Sequence, residues 1–404
     1  MNEKPAKIVI FHGHHGLFHR KYHWLPTHLL FLCSLSAEQG YEIEIIDENN
    51  CSHTEEKAVK AAENAAIVGI SAATGPQITR GINFSKLAKR LSPGCTVIWG
   101  GPHVSALPAE SLQEDFIDIV CAGRGEITLL ELCRTIRKDS KKELKDIPGI
   151  YYKKDGNIKH NPAIKPPSFR ELPPLPYELL DLQGYIIPQT RVINYQTSIG
   201  CLGNCGFCYW HGPHPVQHNR MDRIFKDIAY FQDKYSITSI YFDDSDFFQS
   251  RRFTESFLEQ LEKSRLRFYW GACSRADVLS RYPRETFEKA AKLGLHRILV
   301  GLESGSPRML KKINKQISVE QMRDAAKRLK GIDIELYPGF IYGFPGETVE
   351  DIRASGKLLN ELQSINENIG FQTCMFTPYP GTPLGKELYG MGYRNYKRLE
   401  NWGR

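Results

Sequence analysis

Two stretches of this chain carry the same strand–helix rhythm, and a proline-rich interval separates them. Short β-rich runs at 8–11, 42–46, 67–70, 96–99 and 117–120 alternate with helical patterns at 27–39, 55–64, 79–91 and 126–138. Strands separated by helices build βαβ units, which make neighbouring strands parallel and cover both faces of the sheet. Residues 1–140 are therefore expected to form a flavodoxin-like, doubly wound α/β domain, with any ligand beyond the carboxyl ends of its strands. Residues 141–190 carry prolines at 148, 162, 166, 167, 173, 174, 176 and 188. Proline removes a backbone donor and resists helix, so this stretch is expected to be an extended linker with one hairpin at Asp155 and Gly156. From 191 to 404 the rhythm resumes, with strands expected at 192–198, 238–243, 268–273, 297–302, 334–341 and 369–376. An eight-unit barrel takes about 250 residues. Six repeats in this shorter length predict a partial (β/α)6 TIM-like barrel, open on one side to a bulky substrate.

The first strand of that barrel runs into Cys201-Leu202-Gly203-Asn204-Cys205-Gly206-Phe207-Cys208. Three thiols this close, with Gly200, Gly203 and Gly206 among them, can wrap one small metal centre, and glycine permits the positive φ and close approach that a tight loop needs. A cubane iron–sulfur cluster ordinarily takes four thiolates; three leave one iron open, and an open metal position is where chemistry happens. The alternative is a zinc loop completed by His211, His214 or His218, although zinc sites usually pair two short ligand elements and no second cysteine pair follows. The loop falls at the carboxyl end of a barrel strand, where barrel active sites lie.

The pattern C-x-x-x-C-x-Φ-C, with Phe207 before the last cysteine, resembles the radical S-adenosylmethionine (SAM) signature. That resemblance implies a 4Fe–4S cluster on Cys201, Cys205 and Cys208, its open iron chelated by SAM, and reductive cleavage to a 5′-deoxyadenosyl radical; the cofactors carry the hard chemistry. Later segments resemble the same family in order. The run Gly301-Leu302-Glu303-Ser304-Gly305 resembles a fourth-strand segment whose Glu303 and Ser304 approach the ribose and methionyl end of SAM. Ser274 and Arg275, before Ala276 and Asp277, resemble a segment that helps hold the SAM carboxylate. The stretch 339–347, with Gly343, resembles the fifth-strand segment beside the adenine, and Pro380-Gly381-Thr382-Pro383 matches a run common after the sixth strand. Asp244 ends the second strand, where it either orients SAM or Arg275 or caps the turn that follows.

In the first half, Ser71, Ala72 and Thr74, then Gly100, Gly101 and His103, then Gly123, Gly125 and Glu126 sit at three successive strand ends, which in a doubly wound sheet line one crevice. This pattern resembles the cobalamin-binding domain of B12-dependent radical SAM enzymes; Arg124 departs from the acidic residue often found there. The loop His12-Gly13-His14-His15-Gly16, with His19 and His23, invites a metal reading, but no carboxylate partner falls at useful spacing. The D-x-H-x-x-G pattern of proteins that ligate cobalt through histidine is absent. Cobalamin is expected without a histidine on cobalt, its lower face covered by the loop 71–77.

Bulk properties narrow the setting. The 404 residues are 41% apolar and 25% charged with a net charge of +7, the balance of a soluble protein with no basic arm for nucleic acid. No run approaches the roughly 20 apolar residues of a membrane span, and the first residues carry no signal-peptide pattern, so a cytoplasmic protein is expected. Seven of the ten cysteines (33, 51, 95, 121, 133, 273 and 374) lie scattered, and are expected to be small buried hydrophobes. The resemblance implies a cobalamin-dependent radical SAM C-methyltransferase, or else an oxidative cyclase or ring-rearranging enzyme like the anaerobic magnesium-protoporphyrin ester cyclase, or, outside catalysis, a cobalamin sensor. It also implies an external electron donor such as flavodoxin or ferredoxin. The substrate is left open among peptide side chain, natural product, lipid and tetrapyrrole.

Overall fold

The computed structural model describes residues 7–16, 24–50, 52–136, 142–210, 214–393 and 396–403. The chain separates into two compact units, Met1–Ile186 together with Gly392–Arg404, and Ile187–Met391.

The first unit runs β1 (Lys7–His12), α1 (Thr27–Glu38), β2 (Ile43–Asp47), α2 (Glu55–Ala62), β3 (Ala65–Ser71), α3 (Pro76–Leu91), β4 (Thr96–Gly100), the short α4 (Pro102–Ala106) and α5 (Pro108–Ser111), β5 (Ile119–Cys121), α6 (Glu126–Ile136), β6 (Ile150–Lys154) and β7 (Asn157–His160). Its sheet order is β2-β1-β3-β4-β5-β6-β7, with the first five strands parallel and the last two antiparallel. The 2-1-3-4-5 core is the expected flavodoxin-like winding, and the chain reverses direction across the sheet between β1 and β3. Ile8, Val9, Ile10 and Phe11 are all buried, as a central strand covered on both faces requires.

Two expectations about boundaries differ from what is found. The proline-rich stretch forms its expected hairpin as β6 and β7, but its remainder, instead of standing apart as a linker, docks on the same unit through buried Phe169, Leu172, Tyr177, Leu182 and Tyr185. The Tyr185 hydroxyl donates to Asp47 Oδ2 at 2.7 Å, and Asn50 Nδ2 to the Asp181 carbonyl at 2.9 Å. Prolines exclude α-helix here and leave only short 3-10 turns at Leu144–Asp146, Tyr177–Leu179 and Leu182–Tyr185, while the apolar residues between them supply the burial that anchors the chain. The last residues likewise belong to the first unit. Leu399 and Trp402 are buried, and the Trp402 and Gly403 carbonyls accept from Gly75 N at 3.0 Å and Thr79 Oγ1 at 3.2 Å.

The second unit contains β8 (Val192–Tyr195), β9 (Ser198–Cys201), β10 (His214–His218), α7 (Met221–Tyr235), β11 (Ser239–Phe242), α8 (Arg251–Lys263), β12 (Tyr269–Ser274), α9 (Ala276–Leu279), α10 (Arg284–Lys292), β13 (Leu295–Glu303), α11 (Pro307–Lys312), α12 (Val319–Leu329), β14 (Glu335–Tyr342), α13 (Val349–Ile365), β15 (Gln372–Met375) and α14 (Pro383–Gly390). Six parallel strands in the order β8-β11-β12-β13-β14-β15 form an open half-barrel, as expected. Side-chain caps start its helices: Ser250, Ser306, Ser318, Thr348 and Thr382 each accept a first-turn amide.

The first barrel strand is shorter than expected. It stops at Tyr195, and the chain turns into a separate hairpin of β9 and β10. The cause is Asp244, whose carboxylate takes the amides of Thr197 and Ser198 and so withdraws them from the barrel ladder. Of the scattered cysteines, Cys33, Cys95, Cys121 and Cys133 are buried and Cys273 is half-buried; Cys51 lies outside the described residues. Cys374 is exposed, because every residue of the edge strand β15 is exposed.

Candidate functional site

In the second unit, Cys201 closes β9 and Cys205 and Cys208 follow on the loop, all three partly buried. Gly200 adopts φ +101°, and a Cβ there would stand 2.4 Å from the Pro215 carbonyl oxygen of the hairpin partner. At Gly203 a Cβ would meet Arg275 Nη1 at 3.0 Å and Cys201 Sγ at 3.3 Å, while the Gly203 amide donates to Cys201 Sγ. These two glycines let the loop close tightly on the hairpin, on Arg275 and on the Cys201 sulfur; Gly206 meets only ordinary contacts. Phe207 packs with Phe344 on the apolar group of Met309, Ile313 and Leu384, which anchors the loop from below.

A turn after α11, outside every motif named above, backs this loop. The Ile313 carbonyl accepts from Gly206 N at 2.8 Å, and Asn314 Nδ2 donates to the Asn204 carbonyl at 2.7 Å. Lys315 Nζ lies 2.7 Å from Glu303 Oε1 and 5.9 Å from the Phe207 ring centroid. Arg275 bonds Asp277 through Nε at 2.8 Å and the Lys315 carbonyl through Nη2 at 3.1 Å. Burial pushes the Cys205 thiol up, against the opposing charges of Lys315 and Arg275, and burial also raises Cys208. Metal binding takes the thiolate and releases that proton. Among the described residues no three His, Cys, Asp or Glu side chains converge as a single metal ion requires. A four-iron cluster binds each thiolate at a different iron, so three neighbouring, partly buried cysteines with Lys315 and Arg275 beside Cys205 suit such a group, and the one-ion reading has no convergent ligands among the described residues.

The other expected SAM residues divide into two sets. Glu303 is buried, with φ +69°, and its carboxylate faces Lys315. Ser304 is fully buried and its hydroxyl accepts the Ser306 amide, which shapes the start of α11. Ser274 donates to Asp246 Oδ1 at 2.8 Å, leaving the buried Asp246 Oδ2 without a partner. Burial raises the Asp246 carboxyl to about 7; it was not singled out in the sequence, being one of three aspartates in four residues. Gly343 donates its amide to Glu347 Oε2 at 2.6 Å. Asp244 contacts Thr197 and Ser198 rather than Arg275: besides the two amides it accepts Thr197 Oγ1 at 3.0 Å and Ser198 Oγ at 2.6 Å.

In the first unit the three predicted loops do come together. Gly101, at φ +99°, passes so close to β3 that a Cβ would stand 2.7 Å from the Ala72 carbonyl oxygen; Ala72 N donates to Gly100 O at 3.1 Å. Thr74 Oγ1 lies 2.9 Å from His103 Nδ1, while His103 Nε2 is buried without a partner. Burial pulls this imidazole down to about 4, so it is neutral at pH 7. The Ser105 hydroxyl accepts the Gly123 amide at 3.0 Å, and Gly125 packs against Cys121 and Leu32. Arg124 pairs with Glu126 Oε1 at 2.7 Å, and the buried Glu126 Oε2 has no partner. Two orphaned polar atoms in glycine-lined loops at the strand ends suit a large ligand rich in amides, as cobalamin is.

At the end of β1, His12 is buried, its ring against those of His15 and His28, and Ser71 Oγ lies 3.4 Å from His28 Nε2. Gln77 donates to the Gly13 carbonyl at 2.8 Å and accepts the Ala73 amide at 2.9 Å, which ties the loop 71–77 to the histidine loop. His14 Nδ1 accepts the Gly16 amide at 3.1 Å. His19 and His23 lie outside the described residues.

A protein-family model for the radical SAM superfamily matches residues 195–359, and one for the B12 binding domain matches 15–133. The chain is 30% identical to an uncharacterized methyltransferase, PH0819, of Pyrococcus horikoshii, over 93% of this chain and 82% of that protein. It is 26% identical to the anaerobic magnesium-protoporphyrin IX monomethyl ester cyclase of Rubrivivax gelatinosus, over 90% of this chain and 66% of the cyclase. Among solved structures it resembles the cobalamin-dependent SAM radical enzyme OxsB, with a TM-score of 0.79 at 18% identity, over 96% of this chain and 61% of that one. It thus spans less than two thirds of the length of the latter two proteins. No helix among the described residues is long and apolar enough to cross a membrane. The chain belongs to the radical SAM superfamily, and its half-barrel follows a B12-binding domain.

Proposed function

We propose that this protein is a cobalamin-dependent radical SAM C-methyltransferase acting on an unactivated carbon. The observation that carries the reading is one chain holding both the three-cysteine loop and the glycine-bearing strand-end loops with the orphaned His103 and Glu126 atoms; the methyltransferase relative of Pyrococcus horikoshii supports it. When bound, the 4Fe–4S cluster and SAM supply a carbon radical able to take hydrogen, and cobalamin supplies the methyl group.

The chain's own residues hold, orient and exclude water. Cys201, Cys205 and Cys208 would take three irons and leave the fourth for SAM. Phe207 fixes the loop against the apolar group beneath it. Glu303, Ser274, Arg275 and Gly343, all at carboxyl ends of barrel strands or just beyond, are the groups we assign to SAM, with Ser304 and Asp244 shaping the frame behind them. Ser71, Ala72, Thr74, Gly100, Gly101, His103, Gly123, Gly125 and Glu126 are assigned to cobalamin. The His103 Nε2 position and Glu126 Oε2 offer polar contacts to its amide side chains, and the neutral imidazole accepts or donates without the cost of a buried charge. An external one-electron donor such as flavodoxin or ferredoxin in the cytoplasm completes the proposal.

The likeness to the magnesium-protoporphyrin cyclase favours a second reading, oxidative cyclisation. Mass spectrometry separates the two on anaerobically reconstituted protein. A methyltransferase uses one SAM as methyl donor and another as radical source, so S-adenosylhomocysteine and 5′-deoxyadenosine accumulate together with product. Product formed with 5′-deoxyadenosine alone would replace our reading by the cyclase.

A further inference from the structure

His103 is 1% exposed, and two elements far apart in the chain hold its ring. Thr74 Oγ1 lies 2.9 Å from Nδ1. Whichever of the two donates in that bond, the neutral ring keeps the complementary role at Nε2, so Thr74 sets whether Nε2 accepts or donates. The second element is the 3-10 turn Leu399–Gly403. Its Trp402 packs edge-on against the imidazole, with ring centroids 5.4 Å apart and planes at 62°. Trp402 is itself buried. Aromatic pairs at this separation prefer such tilted arrangements, so the contact fixes a ring's orientation as well as covering it.

Trp402 also reaches the other member of the pair, through its backbone. Its carbonyl accepts the Gly75 amide at 3.0 Å, one residue beyond Thr74. Beside it the Gly403 carbonyl accepts Thr79 Oγ1 at 3.2 Å, and a Cβ on Gly403 would collide with that hydroxyl. A glycine is thus what lets this segment lie so close to the first turn of α3. The Tyr396 ring, 5.2 Å from that of Trp402, and the buried Leu399 complete the anchorage. The segment lies well beyond residues 15–133, the stretch that matches the B12-binding domain, yet one of its residues grips both the Thr74 loop and the His103 ring.

What remains on His103 is Nε2, buried without a partner. A bare buried nitrogen is unfavourable, and the imidazole is kept from turning to relieve it, with Thr74 at one nitrogen and the indole against the ring. A ligand that supplies the missing partner meets a group already ordered, and the ordering cost is not charged to binding.

We propose that Trp402 is a positioning residue of the cobalamin site: its ring and its carbonyl together brace the His103–Thr74 pair, so that Nε2 is held ready for an amide side chain of cobalamin. The inference rests on the reading of the first unit as cobalamin-binding. It separates cleanly from packing. A residue that only packs affects binding whether or not His103 is present, whereas a residue that acts through His103 loses its effect once the imidazole is gone.

The test is a double-mutant cycle on full-length, anaerobically reconstituted protein, read as the dissociation constant for hydroxocobalamin by absorbance titration. Trp402→Ala and His103→Ala are each expected to weaken binding about tenfold, the scale of one buried hydrogen bond. Trp402→Ala/His103→Ala should stay near the same tenfold, because nothing is left to position. Trp402→Phe keeps a ring and should recover most of the affinity, while Trp402→Leu, which fills space without a ring, should not. Additive losses, about a hundredfold in the double variant, would overturn the proposal. So would wild-type affinity in Trp402→Ala, His103→Ala or Trp402→Leu. Where Trp402→Ala fails to fold, Trp402→Leu takes its place in the cycle with the same expected and refuting outcomes. Wild-type protein that binds no hydroxocobalamin would instead sink the cobalamin reading, and this proposal with it.

Discussion

Replacing Asp244 by Ala should loosen the cysteine loop without touching a cysteine. The carboxylate is 2% exposed and accepts two amides and two hydroxyls, from Thr197 and Ser198, which are themselves buried. Hydroxyls can rotate toward other acceptors; the two amides cannot. Each stranded buried amide costs about 1–3 kcal/mol. Against this, removing the acid relieves its own burial, which holds its pKa up at about 7. The net loss is then at the lower end, about 2–3 kcal/mol. For a unit of this size each kcal/mol moves the melting midpoint by about 2–4 °C, so a fall of about 4–12 °C is expected. Because the released residues lead directly into Cys201, the variant should also retain less than about half the wild-type iron after reconstitution. Asp244→Asn keeps the shape but turns a donor toward donors, and should recover at most half of either loss. Differential scanning calorimetry and iron analysis check this. An Asp244→Ala protein melting within a degree of wild type with a full iron complement would refute the reasoning.

Two further outcomes follow from the first unit. His12 is 4% exposed, and burial, with His15 next to it, pulls its pKa down from 6.5 to about 3. Its folded pKa lies below its unfolded one, so the unfolded chain binds the proton first; stability is lost as pH falls below about 6.5 and is fully lost near 3. At about pH 5 this single group costs about 2 kcal/mol. Chemical denaturation of wild type and His12→Asn at neutral pH and at about pH 5 should show the variant losing less, and equal losses would count against it. The second concerns cobalt: His14 Nδ1 is occupied by the Gly16 amide and Gln77 ties the loop 71–77 across Gly13. EPR of the cob(II)alamin form is expected to show no threefold splitting from an axial nitrogen, and such a triplet, lost in His14→Ala or His15→Ala, would name the ligand that this expectation denies.

What was legible in the sequence is what short-range chemistry imposes. A tight loop carrying three thiols needs its cysteines and glycines at fixed spacing, so Cys201, Cys205, Cys208, Gly200 and Gly203 could be read directly. The winding of both sheets follows from hydrophobic periodicity, which is also local. Residues that act across long separations left no such mark. Lys315 sits 12 residues beyond Glu303, and its neighbour Asn314 reaches Asn204 across 110; neither lies in a motif whose spacing would single it out. The docking of the proline-rich stretch is hidden for the same reason. Its prolines are conspicuous, whereas the Tyr185 hydroxyl finds Asp47 across 138 residues, and no pattern in the segment announces the partner. Asp244 shows the sharper lesson. It lies two residues past the end of β11, and a carboxylate at the mouth of a barrel serves equally to meet a ligand or to hold the backbone that presents one. The choice turned on whether two nearby amides lacked partners in the ladder. That is a property of the strand's end, where β8 stops at Tyr195 and the amides of Thr197 and Ser198 turn to the side chain instead, and it becomes visible only when every buried donor is accounted for.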